Sequence, residues 1–129
     1  MIIAVGLDIV ALDRIDRLWT RYGARLVGRL LTPAELAAIE ASGDPVARLA
    51  GRWAAKEAVL KALGTGWAEG LALGQIEVLN DAAGAPRLTL HRAAAARAAA
   101  LGGQRWHLSI SHERSMAVAV AILEGEPCN

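Results

Sequence analysis

One run of the chain, Arg52-Trp53-Ala54-Ala55-Lys56-Glu57-Ala58-Val59-Leu60-Lys61-Ala62-Leu63-Gly64-Thr65-Gly66, holds both of its lysines; twelve arginines carry all the other basic charge. An ammonium is a compact, strongly hydrated point charge, so its use here and nowhere else marks the two positions. Glu57 lies between them. Projected at about 100° per residue, it shares a stripe with Val46, Leu49, Ala50, Trp53 and Leu60. A carboxylate on an apolar stripe is costly unless it is paired or holds a metal. Asp8 is the one charge in the apolar run 2–10. Asp8 and Glu57 have no Cys or His partner at zinc-like spacing. An all-oxygen set points to a hard cation, magnesium first, completed by phosphate oxygens and water. Lys61 falls one turn after Glu57. It reads either as an i,i+4 salt bridge with Glu57 or as a phosphate contact beside a metal held by Glu57.

These residues need elements to position them. Residues 2–10 alternate as a strand, with Gly6, Asp8 and Val10 on one face and Val5, Leu7 and Ile9 on the other. A helix is predicted from Asp13 to Tyr22, continuing past Gly23. It gathers Arg14, Arg17, Arg21 and Arg25 in one arc, with Leu18 beside them. Its apolar stripe takes in Trp19 and Tyr22 as core. Thr32-Pro33-Ala34-Glu35 is a capping box that opens a short helix, and Asp44-Pro45 starts the long one that ends at Gly64. A hairpin is predicted over 75–80 and 86–91, an Ala-rich helix over 92–101, and strands over 105–112 and 116–123. The tail from Glu124 onward is predicted to be loose. On strand 105–112, His107 shares a face with Ser109 and Ser111, while His112 points to the other. Strands and helices mix without a regular βαβ alternation. The fold class is therefore α+β, a mostly antiparallel sheet with a long packed helix and a short basic N-terminal helix, in a single domain spanning 1–129.

Composition narrows the function classes. The chain has 129 residues, 54% hydrophobic and 21% charged, with net charge +1. That describes a globular protein and not a nucleic-acid binder acting through bulk charge. The single cysteine, Cys128, cannot form an internal disulfide. No apolar run is long enough for a membrane span, and the N-terminus does not look like a signal peptide, so the cytoplasm is expected. There is no Walker loop, Gly-x-Gly-x-x-Gly or Gly-x-Ser-x-Gly. A magnesium–phosphate site and a basic docking helix remain. They fit a magnesium-dependent phosphohydrolase or a binding module for an acidic protein or nucleic acid.

Three segments carry a resemblance. Gly6-Leu7-Asp8-Ile9-Val10, the lysine-bearing run 52–66, and Trp106-His107-Leu108-Ser109-Ile110-Ser111-His112 resemble, in order and spacing, the bacterial holo-acyl-carrier-protein synthases, the small 4'-phosphopantetheinyl transferases. The resemblance implies transfer of 4'-phosphopantetheine from coenzyme A to a serine of apo acyl carrier protein, releasing adenosine 3',5'-bisphosphate. It implies magnesium on Asp8 and Glu57, with Lys61 near the pyrophosphate. It implies coenzyme A handled by Arg52, Lys61, Gly64, Thr65, His107 and Ser109, with Arg52 and His107 near the 3'-phosphate. The proton acceptor is Glu57 or a magnesium-bound water. The acidic carrier supplies a partner for Arg14, Leu18, Arg21 and Arg25. A homotrimer with active sites between subunits is implied, with the first and last motifs on one subunit and the middle motif on another, or a similar sharing. Trp53 stands where a Phe is common, and only local repacking is expected from it.

Overall fold

The computed structural model describes residues 1–66 and 70–127, so Cys128 lies outside the described residues. The elements follow in the order β1 (Ile2–Ala11), α1 (Leu12–Tyr22), α2 (Ala24–Leu30), α3 (Pro33–Glu40), α4 (Pro45–Leu63), β2 (Ile76–Asn80), β3 (Pro86–Leu90), α5 (Arg92–Ala100), β4 (Gly103–His112) and β5 (Met116–Gly125). Two sheets form, both antiparallel: β1-β5-β4, and the hairpin β2-β3. The α+β reading holds, and most predicted boundaries lie within two residues of the observed ones. Two expectations do not hold. The chain leaves its first helix at Gly23, where φ is +51°, and restarts as α2, so Arg25 stands on a different helix from Arg14. Glu124 and Gly125 are not loose: they complete β5, and Gly125 exchanges backbone hydrogen bonds with Met1.

Helix α4 is the centre of the molecule. Thr32 caps α3 and Asp44 caps α4, each accepting a backbone N–H in its first turn, and Gly64 ends α4 in the left-handed conformation at φ +80°. Ala47, Gly51, Ala54, Ala55, Ala58 and Ala62 keep much of its circumference narrow. Ala117, Ala119 and Ala121 do the same on the facing side of β5. Small residues on both partners let the sheet and helix backbones approach closely. Gly6 on β1 is the tightest point, because a Cβ there would overlap the Ala58 carbonyl oxygen.

The stripe that carries Glu57 is only partly buried. Leu49, Ala50 and Leu60 are sealed in the core, whereas Val46, Trp53 and Glu57 are half-buried and form an accessible line that runs to exposed Lys61. Glu57 sits on that line, at the edge of the packed face.

Lys56 has the opposite environment. It is fully buried and donates three hydrogen bonds, to Glu35 Oε1 at 2.7 Å, Leu73 O at 3.1 Å and Ile76 O at 2.6 Å. These use every donor of the ammonium. Glu35 is well satisfied too, accepting also from the Thr32 and Val78 amides at 2.9 Å each. Burial pulls the Lys56 ammonium below its usual value, and Glu35 opposes that pull. The pair ties α3, α4 and the start of β2 together. Breaking a buried pair by removing one partner costs about 3–5 kcal/mol. Lys56→Met is therefore expected to lose about 3–5 kcal/mol of unfolding free energy in a urea titration. A loss below about 1 kcal/mol would mean the pair contributes no more than an exposed one.

Candidate active site

The site begins with a chain of placements. β1 lies against α4, and Gly6, Asp8 and Val10 face the helix because side chains alternate along the strand. Asp8 is thereby brought beside Glu57 within a single chain. The two carboxylates paired from the sequence across 49 positions (57 − 8) lie close enough for the Asp8 charge to raise the Glu57 carboxyl. Lys61 and Asp8 join the middle and first motifs within one chain.

Lys61 pairs with Asp8, not with Glu57. Its Nζ lies 2.9 Å from Asp8 Oδ1 and donates to Leu7 O at 3.0 Å. The i,i+4 Glu57–Lys61 bridge does not form. Lys61 reaches across to the strand and keeps one N–H over for another acceptor. Its side chain is 56% exposed, against 16% for Asp8, so that donor faces the open side. Burial holds the Glu57 carboxyl above its ordinary range, and the Asp8 charge adds to this; Lys61 and Arg14 oppose it. Two carboxylates crowded together, one of them partly desolvated, make a site that gains from a cation. All-oxygen donors fit a hard divalent ion. No third Asp, Glu, His or Cys joins them among the described residues, which leaves coordination positions for water and phosphate oxygens.

Arg14 belongs to this site as much as to a docking surface. Its guanidinium stacks over the Trp53 ring, 5.7 Å from the centroid, and is close enough to Glu57 to offset its charge. Arg21 lies over Tyr22 at 5.2 Å. Tyr22 is not core: it is 42% exposed and lines a groove of about 220 Å³ with Arg25, Leu26 and Arg29. Leu18 is partly buried between the basic residues and the interior.

Further toward the start of α4, Arg52 is 5% exposed and donates to Asn80 Oδ1 at 3.3 Å, while its Nε has no partner. Burial, with Arg48 one turn away, holds the Arg52 guanidinium below its usual value. Arg48, Arg52, Asn80 and His112 line a cavity of about 460 Å³. Sequence reasoning gave Arg48 and His112 no role. The i,i+4 spacing of Arg48 and Arg52 was the available signal. At the other end of α4, Gly64 closes the helix and Thr65 follows with a buried Oγ1 that has no partner among the described residues.

His107 and Ser109 are elsewhere. They stand on the face of β4 that points away from α4, opposite Ile122 and Val120 of β5. His107 Nε2 lies 3.0 Å from Glu124 Oε1, and both side chains are largely exposed. Within one chain, His107 does not approach Arg52 or the acidic pair. His112, with opposite parity on the strand, does face the Arg52 cavity.

A sequence model of the 4'-phosphopantetheinyl transferase superfamily matches residues 4–121. The chain belongs to this superfamily. The holo-[acyl-carrier-protein] synthase of Solidesulfovibrio magneticus is 55% identical over 125 residues, covering 97% of this chain and all of that protein. The crystal structure of the holo-[acyl-carrier-protein] synthase of Neisseria meningitidis superimposes with a TM-score of 0.88 at 40% identity, over 96% of this chain and 99% of that one. That of Helicobacter pylori, in complex with coenzyme A, gives 0.82 at 29% identity over 93% and 99%. In this phosphopantetheinyl transferase, then, two of the three recognised motifs converge within one chain, and the third lies across the sheet.

The raised Glu57 has a consequence for stability. Glu57 ionises at lower pH in the unfolded chain than in the folded one. Stability is therefore lost as pH rises from the unfolded value through the folded value, and the cost is fully present above it. Glu57→Gln removes the cost. In metal-free buffer the variant is expected to melt above the parent at pH 7, with the difference vanishing toward about pH 3, where the parent's Glu57 is neutral. A variant that melts lower at pH 7 would contradict the crowding of the two acids.

Proposed function

We propose that this chain transfers 4'-phosphopantetheine from coenzyme A to a serine of apo acyl carrier protein, giving holo carrier and adenosine 3',5'-bisphosphate. The observation that supports it most is the meeting of Asp8, Glu57 and Lys61 at the accessible line of α4, in a member of the phosphopantetheinyl transferase superfamily. The named relatives are holo-[acyl-carrier-protein] synthases, and one was solved with coenzyme A.

Asp8 and Glu57 would hold a magnesium ion, which, when bound, screens the pyrophosphate charge and stabilises the charge that builds on the leaving group. The serine oxygen bonds to the β-phosphorus as the bridging P–O bond breaks, and that electron pair leaves on the bisphosphate. Lys61 is oriented by Asp8 and Leu7 O, and its third N–H serves a phosphate oxygen. Glu57 is the chain's own candidate to take the serine proton. Arg52, with Arg48 and His112 beside it, offers a cationic cavity for the 3'-phosphate, and Thr65 Oγ1 supplies a hydroxyl beyond the helix end. Arg14, Leu18, Arg21 and Arg25 face the acidic carrier; such a row speeds encounter and makes it salt-sensitive.

His107 and Ser109 can serve the same coenzyme only from a second copy. Their face of the sheet also carries Val5, Leu7 and Ile9, exposed at 56%, 60% and 60%. An apolar face of this kind calls for cover, and three copies packed around it would bring one subunit's His107 to another's α4. We assign the chain a homotrimeric state on this ground and on the family resemblance.

Incubation with magnesium, coenzyme A and apo acyl carrier protein is expected to raise the carrier's mass by one phosphopantetheine. Phosphate release with no change in the carrier would make the chain a hydrolase instead. Glu57→Gln and Lys61→Ala are each expected to lower kcat by about 100-fold or more, with far-ultraviolet circular dichroism unchanged; undiminished turnover in either would remove that residue from the site. Leu7→Glu is expected to reduce the mass in solution to that of one chain and to abolish transfer, although Asp8 and Glu57 are intact. Full activity in a monomer would refute the shared site.

A further inference from the structure

The Arg14–Trp53 contact is not explained by docking or by chemistry taken alone. Arg14 opens the basic row of α1, yet its guanidinium is not free in solvent: it lies on the Trp53 indole at 5.7 Å. Trp53 is on α4 one turn before Glu57, on the same accessible line. Among aromatic rings, the indole face attracts a cation most strongly. An exposed arginine on a helix surface has several accessible rotamers, and fixing it costs entropy each time a partner binds. Trp53 fixes it beforehand, and at one place: the lip of the acidic pair. The other arginines of the row have no such support from α4. Arg21 lies over Tyr22, its own neighbour in sequence, and Arg25 and Arg29 line the groove on α2.

We propose that Trp53 is a positioning residue for the carrier protein. It holds Arg14 beside the Asp8–Glu57 site, so that an acidic side chain of the carrier engaging Arg14 is brought close to the reacting centre. This rests on the transferase reading above, and it replaces the expectation that a tryptophan at this position only repacks the neighbourhood. It predicts that Trp53 acts through Arg14 and on the carrier, not on coenzyme A.

The test is a cycle of Trp53→Leu, Arg14→Ala and the double variant in the transfer assay, with KM measured separately for carrier and for coenzyme A. Trp53→Leu keeps apolar bulk but removes the ring. It is expected to raise the carrier KM by roughly two- to five-fold, the size of an exposed cation–π contact, and to leave the coenzyme A KM within error. In the Arg14→Ala background the same change is expected to do nothing further. Trp53→Phe keeps a ring and is expected to restore most of the parent KM, which a purely packing role would not single out. Additive effects in the cycle, or an equal rise in both KM values, would overturn the proposal while transfer by the parent protein continued. Absence of transfer by the parent would instead overturn the transferase reading itself.

Discussion

The close approach of β1 to α4 at Gly6 is the constraint from which the rest follows. No residue with a Cβ fits against the Ala58 carbonyl. The contact joins two points in sequence that bracket the chemistry: Gly6 is two residues before Asp8, and Ala58 is one after Glu57. With strand and helix locked at that point, Asp8 has one position, beside Glu57. Lys61, one helical turn beyond, reaches the same carboxylate and the neighbouring carbonyl. The site is thus built on two regular elements, which fix its groups better than loops would. The alanines along α4 and β5 serve the same geometry. They have structural work at these positions.

Lys56 and Glu57 are adjacent, and the helix gives them opposite fates. About 100° of rotation separates them. One is sealed in the interior with all its donors used, the other stands on the accessible line with its charge only partly offset. The buried pair anchors α3 and β2 to α4, and with them Asn80, the partner of Arg52. Structural and reactive charges are therefore interleaved in one motif, and a search by composition cannot separate them.

Much was legible in the sequence because its signals are local. The capping box at Thr32, Pro45 after Asp44, glycine at 64 and the alternation on each strand depend on a few neighbouring residues, and the elements form where those signals stand. Asp8 and Glu57 were legible as exceptions to an apolar pattern, although Glu57 turned out to occupy an open line of the helix. What could not be read depends on distant packing. The partner of Lys61 is 53 residues away, that of Lys56 is 21 away, and no periodicity encodes either. Tyr22 and Trp19 look alike on a helical projection, but only Trp19 packs against the core; the break at Gly23 turns the chain before Tyr22 is covered. The separation of His107 from Arg52 follows from strand parity and sheet order together, and only the first is written in the sequence.

The central claim is that Asp8 and Glu57 share one electrostatic site within a single chain, set by the strand–helix contact at Gly6. Carbon-13 NMR titration of the Glu57 carboxyl in metal-free protein tests it most directly. A Glu57 pKa above the ordinary glutamate value is predicted in the parent, with a partial fall toward that value in Asp8→Asn, where burial still raises it but the Asp8 charge is gone. A Glu57 titration that is indifferent to Asp8→Asn would contradict the claim.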